Sequence, residues 1–204
     1  LVFESASIHE NKVPGWIEGF VREKGYSIQI QASALMAEYL GNDLSKVANE
    51  LEKLMLNVKA GQEISVNDIQ NNIGISKEYN VFELQNAIAR KDAFKVNQII
   101  NYFADNPKNN PIQLLLGALN SYFTKVLKYH YAGDKSPQGL ASALGIAPFF
   151  VKEYEQAARN YSKEKVFRVI SYLRECDLKT KGVDASGNTE QGDLMKELMF
   201  KIIH

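Results

Sequence analysis

The sequence predicts an all-α protein, on three observations. Apolar residues recur at steps of three and four almost from end to end. Glycines, prolines and short polar capping residues punctuate these stretches at helix lengths. No stretch alternates apolar and polar residues convincingly, so no strand is expected. There is also no sequence repeat and no low-complexity tract.

The elements follow in order. Pro14 suits a first helical turn, where its missing N–H costs nothing. Trp16, Ile17, Phe20 and Val21 then share a face, and Gly25 stops the helix. Leu35, Met36, Tyr39 and Leu40 repeat the spacing up to Gly41. Asn42 or Asp43 can cap the next helix. Its stripe is Leu44, Val47, Ala48, Leu51, Leu54, Met55 and Val58, with Gly61 as its stop. Ser65, with Asp68 three residues on, opens a short helix through Ile73. Four helices of this size make a small bundle that is marginal alone.

ISKEYNV at 75–81 reads as a hinge. Beyond it, Phe82, Ala87 and Ile88 lie on one helix and Phe94, Ile99, Ile100 and Phe103 on another. DNPKNNP at 105–111 is a loop. A long helix runs from Ile112 towards Tyr131, with Leu115, Leu116, Leu119, Tyr122, Phe123, Val126 and Leu127 on its apolar face. Shorter helices follow Pro137 and span roughly 148–160; a longer one spans 162–180. After the polar loop KGVDASGNTEQG, the last helix carries Leu198, Met199, Ile202 and Ile203.

Composition bounds the function. The chain has 204 residues, 45% of them hydrophobic and 24% charged, with zero formal net charge. The balance is uneven: residues 1–74 carry 6 basic and 10 acidic side chains, residues 75–204 carry 18 and 14. Cys176 is the single cysteine, so no internal disulfide forms and a reducing, cytoplasmic setting is expected. No apolar run is long enough to span a bilayer, and no membrane role is expected. The start, LVFESASIHENKVPGW, lacks the regions of a signal peptide and an initiator methionine, and reads as the cut end of a longer chain.

The motifs of chemistry are missing. A phosphate-cradling loop needs several glycines followed by Lys-Ser/Thr, and AGDKS at 132–136 offers one glycine without a preceding strand. His9, His130 and His204 are scattered, and Cys176 reads as an inert packing residue. No catalytic residue, metal ligand or cofactor is assigned. SPQGLASALGIAPFFVKEYEQAARNY at 136–161 resembles a helix-turn-helix, and a nucleic-acid-binding helical module is the alternative reading. A base-reading helix needs polar side chains at its N-terminal end. Here that end is Pro148, Phe149, Phe150 and Val151. A helical enzyme ranks last.

Five stretches then occur in a fixed order. LGNDLSKVANELEKLML (40–56) resembles the lid helix of the delta subunit of bacterial DNA polymerase III, the clamp-loader subunit. SKEYNVFELQNAIARKD (76–92) is similar to that family's passage from lid to collar. PIQLLLGALNSYFTKVLKYH (111–130) resembles its long collar helix, and LASALGIAPFFVKEYEQAARNYS (140–162) its L-G-x-x-P-F corner. ISYLRECDLKTKGVD (170–184) resembles its penultimate helix.

The resemblance implies a tail of a missing N-terminal AAA+ domain (1–13), a lid-like helical bundle (14–74) and a helical collar (75–204). It implies a mechanical role in DNA replication. Partners would be other loader subunits through the collar, the sliding clamp through the missing domain only, and primer-template DNA weakly. Motor subunits place a nucleotide-sensing arginine three residues after the lid glycine; here that position is Leu44. Phe149, Phe150 and Tyr154 are the expected subunit-interface candidates, and Lys179 and Lys181 the expected DNA contacts.

Overall fold

A computed structural model describes residues 8, 12–59, 61–72, 79–146, 148–183 and 190–204. The expected hinge at 75–81 falls mostly on 73–78, outside the described residues, as does most of the 1–13 tail. The chain divides into two compact units, residues 1–77 and 78–204. The described residues are overwhelmingly helical, and the fold is all-α as the periodicity requires.

The first unit contains α1 (Val13–Glu23), β1 (Ser27–Ile28), α2 (Ile30–Leu40), α3 (Leu44–Met55), β2 (Glu63–Ile64) and α4 (Val66–Asn72). The four helices close around Val13, Ile17, Met36, Leu51, Leu54 and Ile69, all fully buried. The two strands correct the expectation of none. Ser27 pairs with Glu63 and Ile28 with Ile64, in parallel. Two residues per strand are too few to leave an alternation in the sequence. The pair ties the α1–α2 connection to the α3–α4 connection, and Gln29 extends it by donating its N–H to the Ile64 carbonyl at 2.9 Å.

The caps explain where helices begin. The Asp43 carboxylate accepts from the backbone N–H of Ser45 and Lys46, each at 3.1 Å. Ser65 and Asp68 cap α4 reciprocally: Ser65 N–H donates to Asp68 Oδ2 at 2.8 Å, and Asp68 N–H to Ser65 Oγ at 3.3 Å. Two expectations fail here. Tyr39 is exposed rather than part of the α2 stripe. Helix α3 ends at Met55 because Asn57 N–H turns back onto the Leu54 carbonyl at 2.9 Å. That turn leaves Leu56 85% exposed and returns Val58 to the core.

The second unit contains α5 (Val81–Arg90), α6 (Ala93–Asp105), α7 (Ile112–Tyr131), α8 (Pro137–Leu144), a 3-10 turn at Pro148–Phe150, α9 (Val151–Asn160), α10 (Lys163–Thr180) and α11 (Gln191–Ile203). Asn80, Asp92, Ser136 and Ser162 each cap the helix that follows them, accepting from the N–H three residues on. Helix α11 packs along α6 and α10, α10 along α7, and α9 against both α5 and α7. Gly192 permits the α6–α11 approach, since a Cβ there would lie 2.9 Å from the Ala104 methyl. Phe94 leaves the expected stripe and, like Tyr131 at the end of α7, is exposed.

Tyr161, between α9 and α10, joins three helices. Its buried hydroxyl donates to the Ile88 carbonyl of α5 at 3.1 Å, and its ring meets Phe123 of α7 edge-on. Its own carbonyl accepts from His130 Nε2 at 2.8 Å. A carbonyl can only accept, so His130 carries its proton on Nε2 here. Next to it, Asn160 Nδ2 donates to the Ala89 carbonyl at 2.7 Å. The Tyr161 and Asn160 bonds land on carbonyls of the last turn of α5.

Candidate functional site

Among the described residues no group of three or more His, Cys, Asp and Glu side chains converges as a metal site would require. No helix among them is long and apolar enough to cross a membrane. Cys176 is buried on α10, and burial pushes its thiol up to about 11. The thiolate is the nucleophilic form, so this sulfur is protonated and inert near neutral pH.

Lys179 and Lys181 stand at the C-terminal end of α10, where cations suit the helix dipole. Both already have carboxylate partners. Lys179 Nζ donates to both oxygens of Glu197, at 2.8 and 3.0 Å, and Lys181 Nζ to Asp177 Oδ2 at 2.6 Å. Glu197 also meets Lys201 at 2.8 Å, and Lys201 reaches Glu175 at 3.8 Å. The two hydrogen-bonding lysines hold the Glu197 carboxyl below the usual carboxylate range, and Glu197 holds Lys201 above the usual lysine range. The turn is therefore an interleaved network of both signs. The loop beyond it, 184–189, lies outside the described residues.

The three aromatic candidates separate. The side chain of Phe149 lies outside the described residues. Phe150 is half-buried against the core of the second unit. Tyr154 is only 8% exposed, and its ring lies 5.3 Å from that of Tyr122. Its aromatic surface is engaged inside the unit. Val151 is buried as well, so the first turn of α9 points its large residues inward. A base-reading helix needs that turn outward.

Other aromatics are exposed instead. Phe94 on α6 is 74% exposed, Phe200 on α11 67%, Tyr131 on α7 62% and Phe167 on α10 53%. Lys163 Nζ lies 4.6 Å from the Tyr131 ring centre, and the His204 ring lies 4.7 Å from that of Phe200. The signal for them was present in the spacing. The buried positions of α11 are 194, 195, 198, 199, 202 and 203, and those of α10 are 166, 169, 173 and 176. Phe200 and Phe167 fall off both stripes. Isolated exposed apolar residues need no explanation, but four large aromatics on one unit mark surfaces that gain from being covered.

In the first unit, Leu44 is the first residue of α3, half-exposed beside its Asp43 cap. An open groove of about 690 Å³ lies between Lys24, Tyr26, Asn49, Glu52, Met55 and Leu56. Lys24 and Glu52 pair across it at 3.2 Å.

Two compact helical units, the second carrying exposed aromatics, define a class: an all-α protein of two helical modules. The chain belongs to the family of the DNA polymerase III delta subunit, C-terminal domain, whose model matches residues 78–200. That match covers the second unit almost from end to end. The chain is 24% identical over 184 residues to DNA polymerase III subunit delta of Bacillus subtilis (strain 168), covering 88% of this chain and 52% of that protein. It therefore spans about half the length of this curated relative. The solved structure of the Bacillus subtilis DNA clamp loader delta protein is similar in fold, with a TM-score of 0.59 at 23% identity. That likeness covers 97% of this chain and 57% of the other.

Proposed function

We propose that this chain is the lid and collar portion of a clamp-loader delta subunit, acting in DNA replication by assembly rather than by chemistry. The family match across residues 78–200 carries the reading. On it, the second unit is the collar that packs beside the collars of sister subunits. The first unit is the lid that sets the angle of a clamp-gripping N-terminal domain present in the longer subunit. Leu44 occupies the position of a sensing arginine, and its apolar side chain has no means of stabilising phosphate charge. The work is placed in a cytoplasmic replication complex.

The exposed aromatics support the assembly role, because buried aromatic anchors dominate interface energies. Phe167 and Phe200, exposed on adjacent helices α10 and α11, are the anchors of choice. Phe149 and Phe150 remain interface candidates, whereas the ring of Tyr154 is buried within the unit. Lys179 and Lys181 are assigned to weak, salt-sensitive DNA contact at most, since such contact competes with Glu197 and Asp177.

The test is co-elution of the purified chain with the other loader subunits of its organism. Expected is a stable complex that Phe167→Ser and Phe200→Ser weaken about tenfold or more, as hot-spot losses do, with unchanged helical circular dichroism. Failure to co-elute with any collar-bearing partner at low and moderate salt would sink the assembly reading.

A further inference from the structure

We propose that the outer face of α10 docks an acidic amphipathic helix of a sister subunit, with Phe167 and Leu178 as its two apolar anchors and Arg168 and Arg174 as its carboxylate contacts. The inference rests on the assembly reading above and names the chemistry of the partner.

Helix α10 buries Val166, Val169, Leu173 and Cys176. At about 100° per residue, Phe167, Ser171, Arg174 and Leu178 fall within about 60° of one another on the opposite side. Phe167 is 53% exposed and Leu178 36%, with Ser171 and Arg174 exposed between them. Arg168 is exposed beside this row. The two apolar residues are eleven positions apart, three helical turns or about 16 Å. Val183, itself exposed, enlarges the Leu178 end, since its N–H turns back to donate to the Leu178 carbonyl at 3.0 Å.

The charges along the row are not balanced. Among the described residues neither Arg168 nor Arg174 reaches a carboxylate within ion-pair distance. The acids of the same helix are engaged elsewhere. Glu164 bonds its own backbone N–H and the Ser162 side chain. Glu175 reaches Lys201 at 3.8 Å, and Asp177 holds Lys181 at 2.6 Å. Lys179, at the end of the helix, is matched by Glu197. Two guanidinium groups without acids therefore stand between two apolar ends.

This combination selects the partner. A duplex phosphate backbone would meet the arginines and leave Phe167 and Leu178 in water. A wholly apolar partner would bury two charges with nothing to pair them. Aromatic residues and arginine are the side chains enriched at the energetic centres of protein interfaces. A guanidinium meets a carboxylate through two parallel hydrogen bonds. A convex helix has no cleft for an extended peptide; a straight row is matched by a second helix laid alongside, ridges into grooves. That helix carries apolar residues about three turns apart, with Asp or Glu between them. Ser171, small and central, lets the two axes approach.

The experiment is co-elution and titration of the 204-residue chain with the purified loader subunits of its organism, in parent and variant forms. Arg168→Gln with Arg174→Gln is expected to weaken the complex about tenfold or more. Arg168→Glu with Arg174→Glu is expected to weaken it about a hundredfold or more, because like charges then face each other. The chain loses no internal ion pair in either variant, so helical circular dichroism and the thermal midpoint are expected to hold. The deficit of the Gln pair is expected to shrink near 1 M salt, where the screening length falls to about 3 Å. That of Phe167→Ser with Leu178→Ser is expected to persist. Lys108→Glu with Lys196→Glu makes the same change in net charge on other elements and is expected to leave affinity intact. A complex that forms but ignores the arginine reversals overturns the inference and leaves the assembly reading standing, and so does equal weakening by the lysine pair. Absence of any complex ends both. If the arginine reversals abolish binding of a labelled DNA duplex while the complex is retained, the face belongs to nucleic acid and the inference falls.

Discussion

At the residue scale, the Glu197 network shows how a surface charge cluster acts. Glu197 has a folded pKa below its unfolded value because Lys179 and Lys201 hydrogen-bond its carboxylate. The sign follows: its contribution is fully present above the unfolded carboxylate value and is lost as pH falls through the folded one. The side chain is 42% exposed, so solvent screening limits the gain. Glu197→Gln is expected to cost about 0.2–1 kcal/mol at pH 7, the range for exposed pairs. Urea melts should show the gap closing below about pH 4, near the reference carboxylate value, and shrinking in high salt. A gap that persists at low pH would assign the effect to packing.

At the element scale, the α6–α11 contact turns on one hydrogen atom. Gly192→Ala adds a methyl 2.9 Å from the Ala104 Cβ, on helices that neither rotate nor shorten cheaply. Helix propensity favours alanine by up to about 1 kcal/mol, less near a helix end. Overpacking costs typically about 1–3 kcal/mol, so the net change is expected to destabilise. Chemical denaturation decides the sign. A variant at least as stable as the parent would show that the helices part freely.

Helices of this kind were legible because their signals are local. The long α7 was legible from Ile112 towards Tyr131 through its seven-member apolar stripe. The capped starts at Asp43 and Ser65 were legible for the same reason. The β1–β2 pair was not, because its information lies in a partner far along the chain. Tyr39 and Phe94 misled because apolarity was counted before angular position. The buried residues of α6 are 96, 99, 100 and 103, a face that Phe94 does not share. The acid facing Lys179 was hidden, with Glu197 on the following helix, whereas Asp177 lies four residues before Lys181 in the sequence.

At the scale of the whole molecule, the two units differ in resources. The core of the second gathers residues from every one of its α-helices, whereas the first closes a smaller bundle with the help of a two-residue strand pair. Small domains bury a smaller share of their surface and are correspondingly marginal. Residues 78–204 produced alone are therefore expected to unfold cooperatively, with a midpoint close to that of the same unit in the full chain. Residues 1–77 alone are expected to melt at lower denaturant. Equal midpoints for the two pieces would contradict this.

The placement of α11 has a consequence for the order in which the protein can be made. Leu194, Met195, Leu198, Met199, Ile202 and Ile203 of this helix supply the wall against which α6 and α10 close. Its first residue also reaches back to the start of α7, where Gln191 Oε1 accepts from the Ile112 N–H at 3.4 Å. A ribosome releases the chain from its N-terminus, so α6 emerges long before its cover. Until α11 is out, α6 has only α5 to pack on and lacks the helix that covers most of it. The second unit therefore completes in a single late event, and the nascent chain carries an open apolar flank from the emergence of α6 to that of α11.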